Sequence, residues 1–420
     1  MKALILQFRT LDPAARVLCL NQFGINLGFY MLMPYLAGHL TGDLGLAAGV
    51  AGLVLGARNL CQQGMFLLGG TLADRLGCKP MIVAGCVLRT VAFTLLAAAP
   101  SLPGLLTGMA LTGLAGALFN PAVRAYLAAA SGERRVDSFA VFNVFYQAGI
   151  LAGPLVGLAL TAIDFTTTCL VAAVVFAALA AVQMRSLPSQ KASESDRAEP
   201  VLRSWRTVAA NRPFVLFSLA MAGSYVLGFQ IYLALPLLVG DGTTTGGIAA
   251  TTGMFAVSAV ITIAGQIRVT AWCKARFGGS RSMEHGLLVM SAAFALPALA
   301  LAAAVSHPVM IATALAGAAL LAVATMVIYP FEMDTIVALA DGKHAATHYG
   351  FYNTVVGIAI TVGNLLVGAA LDATAGRATA PIPWLGMALL GTVGMAGLGL
   401  LRRRGLLFPR APSRTPVSAT

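Results

Sequence analysis

Two arginines, Arg58 and Arg89, and two acids, Glu332 and Asp334, stand in or beside long apolar runs of this 420-residue chain. A guanidinium in hydrocarbon costs at least about 2.5 kcal/mol even on a lenient insertion scale, so it must face a partner, water or an anionic solute. The two acids fall near the inner end of their run, and no carboxylate lies clearly mid-span. Counting about 1.5 Å per residue, Arg58 lies roughly 20 Å and Arg89 roughly 14 Å from one end of their runs, inside the apolar layer. Gln62 follows Arg58 at i+4 on the same helical face. Arg58 is a candidate for solute contact; for Arg89 a structural brace is the competing role.

Adaptable polar and aromatic side chains recur in other apolar runs: Asn26 and Tyr30, Asn143 and Gln147, Tyr225 and Gln230, and Asn353. Sixteen methionines add soft surface of the kind that accepts varied apolar ligands. Bond-making chemistry has no comparable residues. The five histidines form no H-E-x-x-H pair, no G-x-x-x-x-G-K-[ST] loop is present, and no G-x-S-x-G stands at a strand-to-helix turn. The six cysteines are scattered without metal-ligand spacing. No catalytic residue, metal or cofactor is expected, and an intramembrane enzyme would need a facing nucleophile and base that nothing here selects.

The elements that must position these side chains are membrane helices. The chain is 58% hydrophobic and 10% charged, with a mean hydropathy of +0.84, whereas a soluble domain carries about 25% charged residues. Apolar runs between polar or Gly/Pro breaks predict twelve spans, at 17–38, 48–72, 80–99, 104–128, 139–160, 167–184, 213–239, 248–271, 284–304, 308–332, 349–371 and 382–401. With the N-terminus inside, 24 of the 27 Lys and Arg fall on the inner side, which the positive-inside rule requires of cytoplasmic segments. The net charge of +12 therefore records topology, not a nucleic-acid partner. Both termini are expected in the cytoplasm. The polar stretch 185–212 divides a six-helix bundle at 1–184 from a second at 213–401, and 402–420 is a basic tail.

The halves repeat. At an offset of 201, Gly52, Gly64, Gly77 and Gly85 fall on Gly253, Gly265, Gly278 and Gly286, and Ala92-Phe93 falls on Ala293-Phe294. Phe119-Asn120-Pro121 matches Ile328-Tyr329-Pro330, and Asn143 with Gly153 matches Asn353 with Gly363. Pro34 and Pro236 are expected to end the corresponding first helices. Small residues recur where helices cross closely, and duplicated six-helix halves joined by a long linker point to a transporter that rocks about a central site, not to a static channel.

The segment Gly69 to Pro80 reads Gly-Gly-Thr-Leu-Ala-Asp-Arg-Leu-Gly-Cys-Lys-Pro. It resembles the loop motif of the major facilitator superfamily. That resemblance implies an all-α membrane fold of twelve transmembrane helices in two repeat-related bundles, and a latch on the cytoplasmic side made by Gly70, Asp74, Arg75, Gly77 and Lys79. In the repeat-related loop Ala275 replaces the acid while Arg276 and Gly278 remain, so the latch is one-sided. Gly149, Gly153, Pro154 and Gly157 in the fifth span resemble the antiporter motif of the family's drug/proton exporters. The stretches Gly56 to Gly64 and Lys79 to Val83, with Arg89, resemble its multidrug-export branch. Met109 stands where many proton-coupled members place an arginine in the fourth span, and the first span holds Asn21, Gln22 and Asn26 without an acid.

The resemblance implies proton-coupled export of small amphipathic molecules from the bacterial inner membrane by a monomer embedded in the lipid bilayer. The partners are then a small-molecule substrate and protons. Fourth and tenth spans line the cavity in this family, so Arg124 is expected to bridge Glu332 or Asp334, or else Asp74. Glu332, with Asp334 behind it, is the candidate for proton coupling. Arg58 and the absence of a mid-span carboxylate favour a different cargo, an anionic metabolite or a carboxylate siderophore.

Overall fold

The computed structural model describes residues 2–99, 101–161, 163–189, 199–239 and 245–407. Every regular element among them is helical. The twelve long helices are α1 Pro13–Tyr30, α2 Ala48–Leu76, α3 Cys78–Ala98, α4 Leu102–Ser131, α5 Arg135–Thr161, α6 Phe165–Ser186, α7 Arg212–Phe229, α8 Thr245–Arg276, α9 Gly278–Ala302, α10 His307–Ala340, α11 Ala345–Thr374 and α12 Ile382–Arg403. By length and hydropathy, ten stretches among the described residues suffice to cross a membrane. One of them, Leu102–Leu160, holds both α4 and α5. α2 falls short because Arg58, Asn59, Gln62 and Gln63 dilute its apolar sequence, which restores twelve.

Local chemistry sets the helix ends. Asp12 caps α1 by accepting from the Ala14 N–H at 2.8 Å, and Asn211 caps α7 by accepting from the Phe214 N–H at 3.3 Å. Asp164 caps α6 through Thr167, whose backbone and hydroxyl bonds hold the carboxyl below its ordinary range. A single residue, Gly77 at φ +98°, turns α2 into α3, a conformation that favours glycine. Proline does not simply end the first helices, as expected. The chain breaks at Met31-Leu32 and again between Gln230 and Leu233, then resumes as the short helices Met33–Gly38 and Ala234–Leu238, which contain Pro34 and Pro236.

Within the first half α2 and α3 pack on α4, α3 on α6 and α1 on α5; within the second, α8 and α9 pack on α10, α9 on α12, and α7 on α11 and α12. Duplication is visible in the packing. A Cβ on Gly85 would lie 3.0 Å from the Ala115 carbonyl and from Phe119, while one on Gly286 would lie 2.5 Å from Ile328 and 3.3 Å from the Ala324 carbonyl. These are the residues that the repeat pairs. The stretch between the halves is not uniformly extended, since Val201–Ala210 forms an amphipathic helix; 190–198 of the linker and 408–420 of the tail lie outside the described residues.

Candidate functional site

Contacts between the halves join α2 to α11 and α5 to α8 and α10. The hydrogen bonds across this interface gather toward the end of the bundle that carries the linker. Asp74, in the last turn of α2, accepts from the backbone N–H groups of Ala346 at 2.9 Å and Thr347 at 2.7 Å, and from the Thr347 hydroxyl at 2.6 Å. A carboxylate there neutralises orphan donors and the positive end of the α11 dipole. Adjacent Gly70 lets the backbones meet: a Cβ would stand 2.2 Å from the Ala346 carbonyl oxygen. Trp205 of the linker helix donates to Thr71 at 2.8 Å, and His344 pairs with Glu199 at 2.9 Å. Arg75 lies in the same last turn, and Lys79 in the first turn of α3.

The second seam is built from side-chain ion pairs. Arg135 in the first turn of α5 meets Asp334 of α10 at 2.5 Å, and Lys274 of α8 meets Asp137 of α5 at 3.0 Å. Deeper in, buried Asn143 donates to Gln266 of α8 at 2.7 Å, and Gln266 donates to the Met326 carbonyl at 2.9 Å. Arg124 does not make the expected bridge to Glu332, Asp334 or Asp74. Asn120, one turn back, supplies two acceptors to its guanidinium at 3.1 and 3.3 Å, and Tyr329, Tyr225 and Tyr146 surround it. The acids have other partners.

Glu332 is 2% exposed. Its carboxyl accepts hydrogen bonds from the hydroxyl of Tyr352 on α11 and, at 3.4 Å, from that of Tyr225 on α7. A buried acid with neutral donors and no ion pair among the described residues is one whose charge is compensated by hydrogen bonding and, at longer range, by Arg124. Taking up a proton at that position breaks no direct ion pair, and it takes from Arg124 the negative charge nearest to it.

The first half carries the opposite charge. The guanidinium carbons of Arg58 and Arg89 both lie over the ring of Phe29, 4.5 and 4.6 Å from its centroid, so they are no more than about 9 Å apart. At an effective dielectric near 20, two like charges at that separation repel by about 2 kcal/mol. Arg89, 3% exposed, also lies over Phe119 and Phe176. Aromatic faces offset part of that cost. Arg58 donates to Asn59 and Gln62, both at 2.8 Å. Its Nε, and Nε and Nη1 of Arg89, have no hydrogen-bond partner in the structure.

Other candidate side chains tie helices together. Asn26 donates to the Tyr146 carbonyl at 2.8 Å, linking α1 to α5, and Gln230 donates to Asn364 at 2.9 Å, linking α7 to α11. Asn353 donates to the Tyr349 carbonyl within its own helix, and Gln147 is half-buried on α5. Tyr30 packs edge-on against Phe29. Gly149, Gly153 and Gly157 form a seam on α1, where an added Cβ would stand 2.5 Å from the Phe23 oxygen, 2.7 Å from Tyr30 and 2.0 Å from the Met31 oxygen. The Pro154 carbonyl accepts the Tyr35 hydroxyl at 2.7 Å. Sequence reasoning missed Phe29, Arg135, Trp205, Gln266 and Tyr352. Only Arg135, a charge at the mouth of a predicted span, carried a readable signal.

Residues 18–364 match the Major Facilitator Superfamily. The chain belongs to that superfamily. It is 50% identical over 393 residues to an uncharacterized MFS-type transporter of Mycobacterium tuberculosis, covering 93% of this chain and 94% of that protein. To the multidrug resistance protein MdtH of Cronobacter sakazakii it is 31% identical over 379 residues, 90% of each chain. The superfamily fold is shared with two solved structures. The human organic anion transporter MFSD10 superposes with a TM-score of 0.72 at 17% identity, covering 92% of this chain and 99% of that one. The Escherichia coli fucose:proton symporter FucP superposes with a TM-score of 0.73 at 16% identity, covering 92% and 98%. This is a multi-pass membrane transporter.

Proposed function

We propose that this transporter is a proton-coupled exporter of small amphipathic molecules, working by alternating access in the bacterial inner membrane as a monomer. The observation that carries the coupling is Glu332, a fully buried acid in the second half held by hydroxyls from two other helices of that half. Rocking of the halves would move Arg124, on the first half, relative to Glu332, and with it change the ease of protonating the carboxyl. With the linker end in the cytoplasm, a reading that the charge asymmetry supports, the seams at Asp74 and Asp334 form the inner gate. The similarity to MdtH supports a drug-like cargo.

The test is substrate efflux from proteoliposomes with and without an inward proton gradient, for the wild type and Glu332→Gln. Gradient-stimulated efflux that the variant loses is expected. Equal rates with and without the gradient would end the antiport reading, whereas full coupling in Glu332→Gln would reassign only the residue. Unpartnered Arg58 and Arg89 nitrogens favour a second reading of the cargo, an anionic metabolite or a carboxylate siderophore in place of a cationic drug.

A further inference from the structure

The geometry around Phe29 points to a binding site for one organic carboxylate, with Arg58 and Arg89 as its paired cationic arms and Phe29 as the shared apolar floor. This assignment deepens the anionic reading of the cargo. Two guanidinium groups that face the same ring hold two positive charges close together in a span region, and neither is in an ion pair among the described residues. The charged or titratable groups near them are each other, Tyr30, Tyr146 and Cys86, none of which supplies a compensating negative charge at neutral pH. Three guanidinium nitrogens are buried and unpaired. Buried donors of this kind are rare and call for an acceptor.

A carboxylate supplies what is missing. Its two oxygens have enough lone pairs to accept from Nε of Arg58 and from Nε and Nη1 of Arg89, in charge-assisted bonds that an alcohol or an amide makes more weakly and an ammonium cannot make. The faces of Phe29, Phe119 and Phe176 turned to the guanidinium groups make their surroundings apolar, which suits a carboxylate on an apolar body. The site lies wholly within the first half, while the proton-carrying acid lies in the second. Cargo charge and proton therefore occupy separate halves, and a monoanion need not compete with the proton for one group.

The experiment measures equilibrium binding of naphthoate, naphthalenemethanol and naphthylmethylammonium, matched in ring and size, to the purified full chain in detergent by isothermal titration. The variants are Arg58→Gln, Arg89→Gln and Arg89→Lys. Naphthoate is expected to bind the wild type at least about tenfold more tightly than the alcohol, and the ammonium weakest. Arg58→Gln should remove that preference. Arg89→Gln should do the same, and where it fails to fold, Arg89→Lys, which keeps the charge but loses the fork, should retain part of it. Equal binding of the three probes, or an anion preference that survives undiminished in Arg58→Gln or in Arg89→Gln, would overturn the site. Loss of gradient-driven efflux with the binding pattern intact would overturn only the exporter reading, so the two failures are distinguishable.

Discussion

Gly69 and Gly70 are neighbours on α2, yet an added methyl group meets a different obstacle at each. At Gly69 it would stand 2.0 Å from the Ala117 oxygen of α4, inside the first half; at Gly70 it would stand 2.2 Å from the Ala346 oxygen of α11, across the interface. Contacts inside a half persist when the halves rock, and contacts between halves do not. Gly69→Ala is therefore expected to destabilise the protein in every conformation, by the 1–3 kcal/mol or so typical of overpacking, visible as a lower thermal midpoint. Gly70→Ala should leave that midpoint nearer the wild type and shift the population toward the state open at the linker end, read from spin-label distances between α2 and α11. A matching loss of stability in both variants, with no shift in distances, would contradict the distinction.

At the scale of elements, α2 and α11 are joined by a carboxylate set against a helix N-terminus. Asp74→Asn keeps the shape of the side chain and loses its charge, removing about 1–2 kcal/mol of dipole and charge-assisted bonding. The linker-end closed state should lose population about 5- to 30-fold relative to the open one, slowing turnover while equilibrium substrate affinity changes little. A large loss of affinity at unchanged turnover would place Asp74 in the binding site instead. Much of this was legible beforehand. The loop motif pointed to Asp74 and Gly77, and the apolar runs located all twelve spans. Helix ends were read short, because hydropathy falls where the chain leaves the hydrocarbon while the helix continues: the run ending at 332 belongs to a helix that reaches Ala340, and the one beginning at 349 starts at Ala345. Those extra turns carry Asp334 and Thr347, which close the interface. Arg124 was paired with the wrong groups for a related reason. Spacing gives its depth on α4, but not that Asn120 one turn back would engage its guanidinium.

The linker helix lies at the end of the bundle that, in the topology proposed above, faces the cytoplasm. Arg203 on the linker helix is 76% exposed, so a cysteine placed there in a chain lacking its own six should resist a membrane-impermeant maleimide in intact cells and react once the cells are opened. Reaction in intact cells would invert the topology. The closed end is itself lopsided. One seam is a carboxylate set against backbone donors and backed by the buried Thr71 and Thr347; the other rests on Arg135 with Asp334 and Lys274 with Asp137, whose side chains are 22–48% exposed. Ionic strength acts on these unequally. The Debye length falls from about 10 Å at 0.1 M salt to about 3 Å at 1 M, and exposed pairs are screened far more than covered ones. In concentrated salt the α5–α8 and α5–α10 seam should therefore part first, with α2 and α11 remaining together as the pivot. A cross-link joining α5 to α8 would then form more slowly as salt is raised while one joining α2 to α11 keeps its rate, and the transporter would open from one flank as a door does.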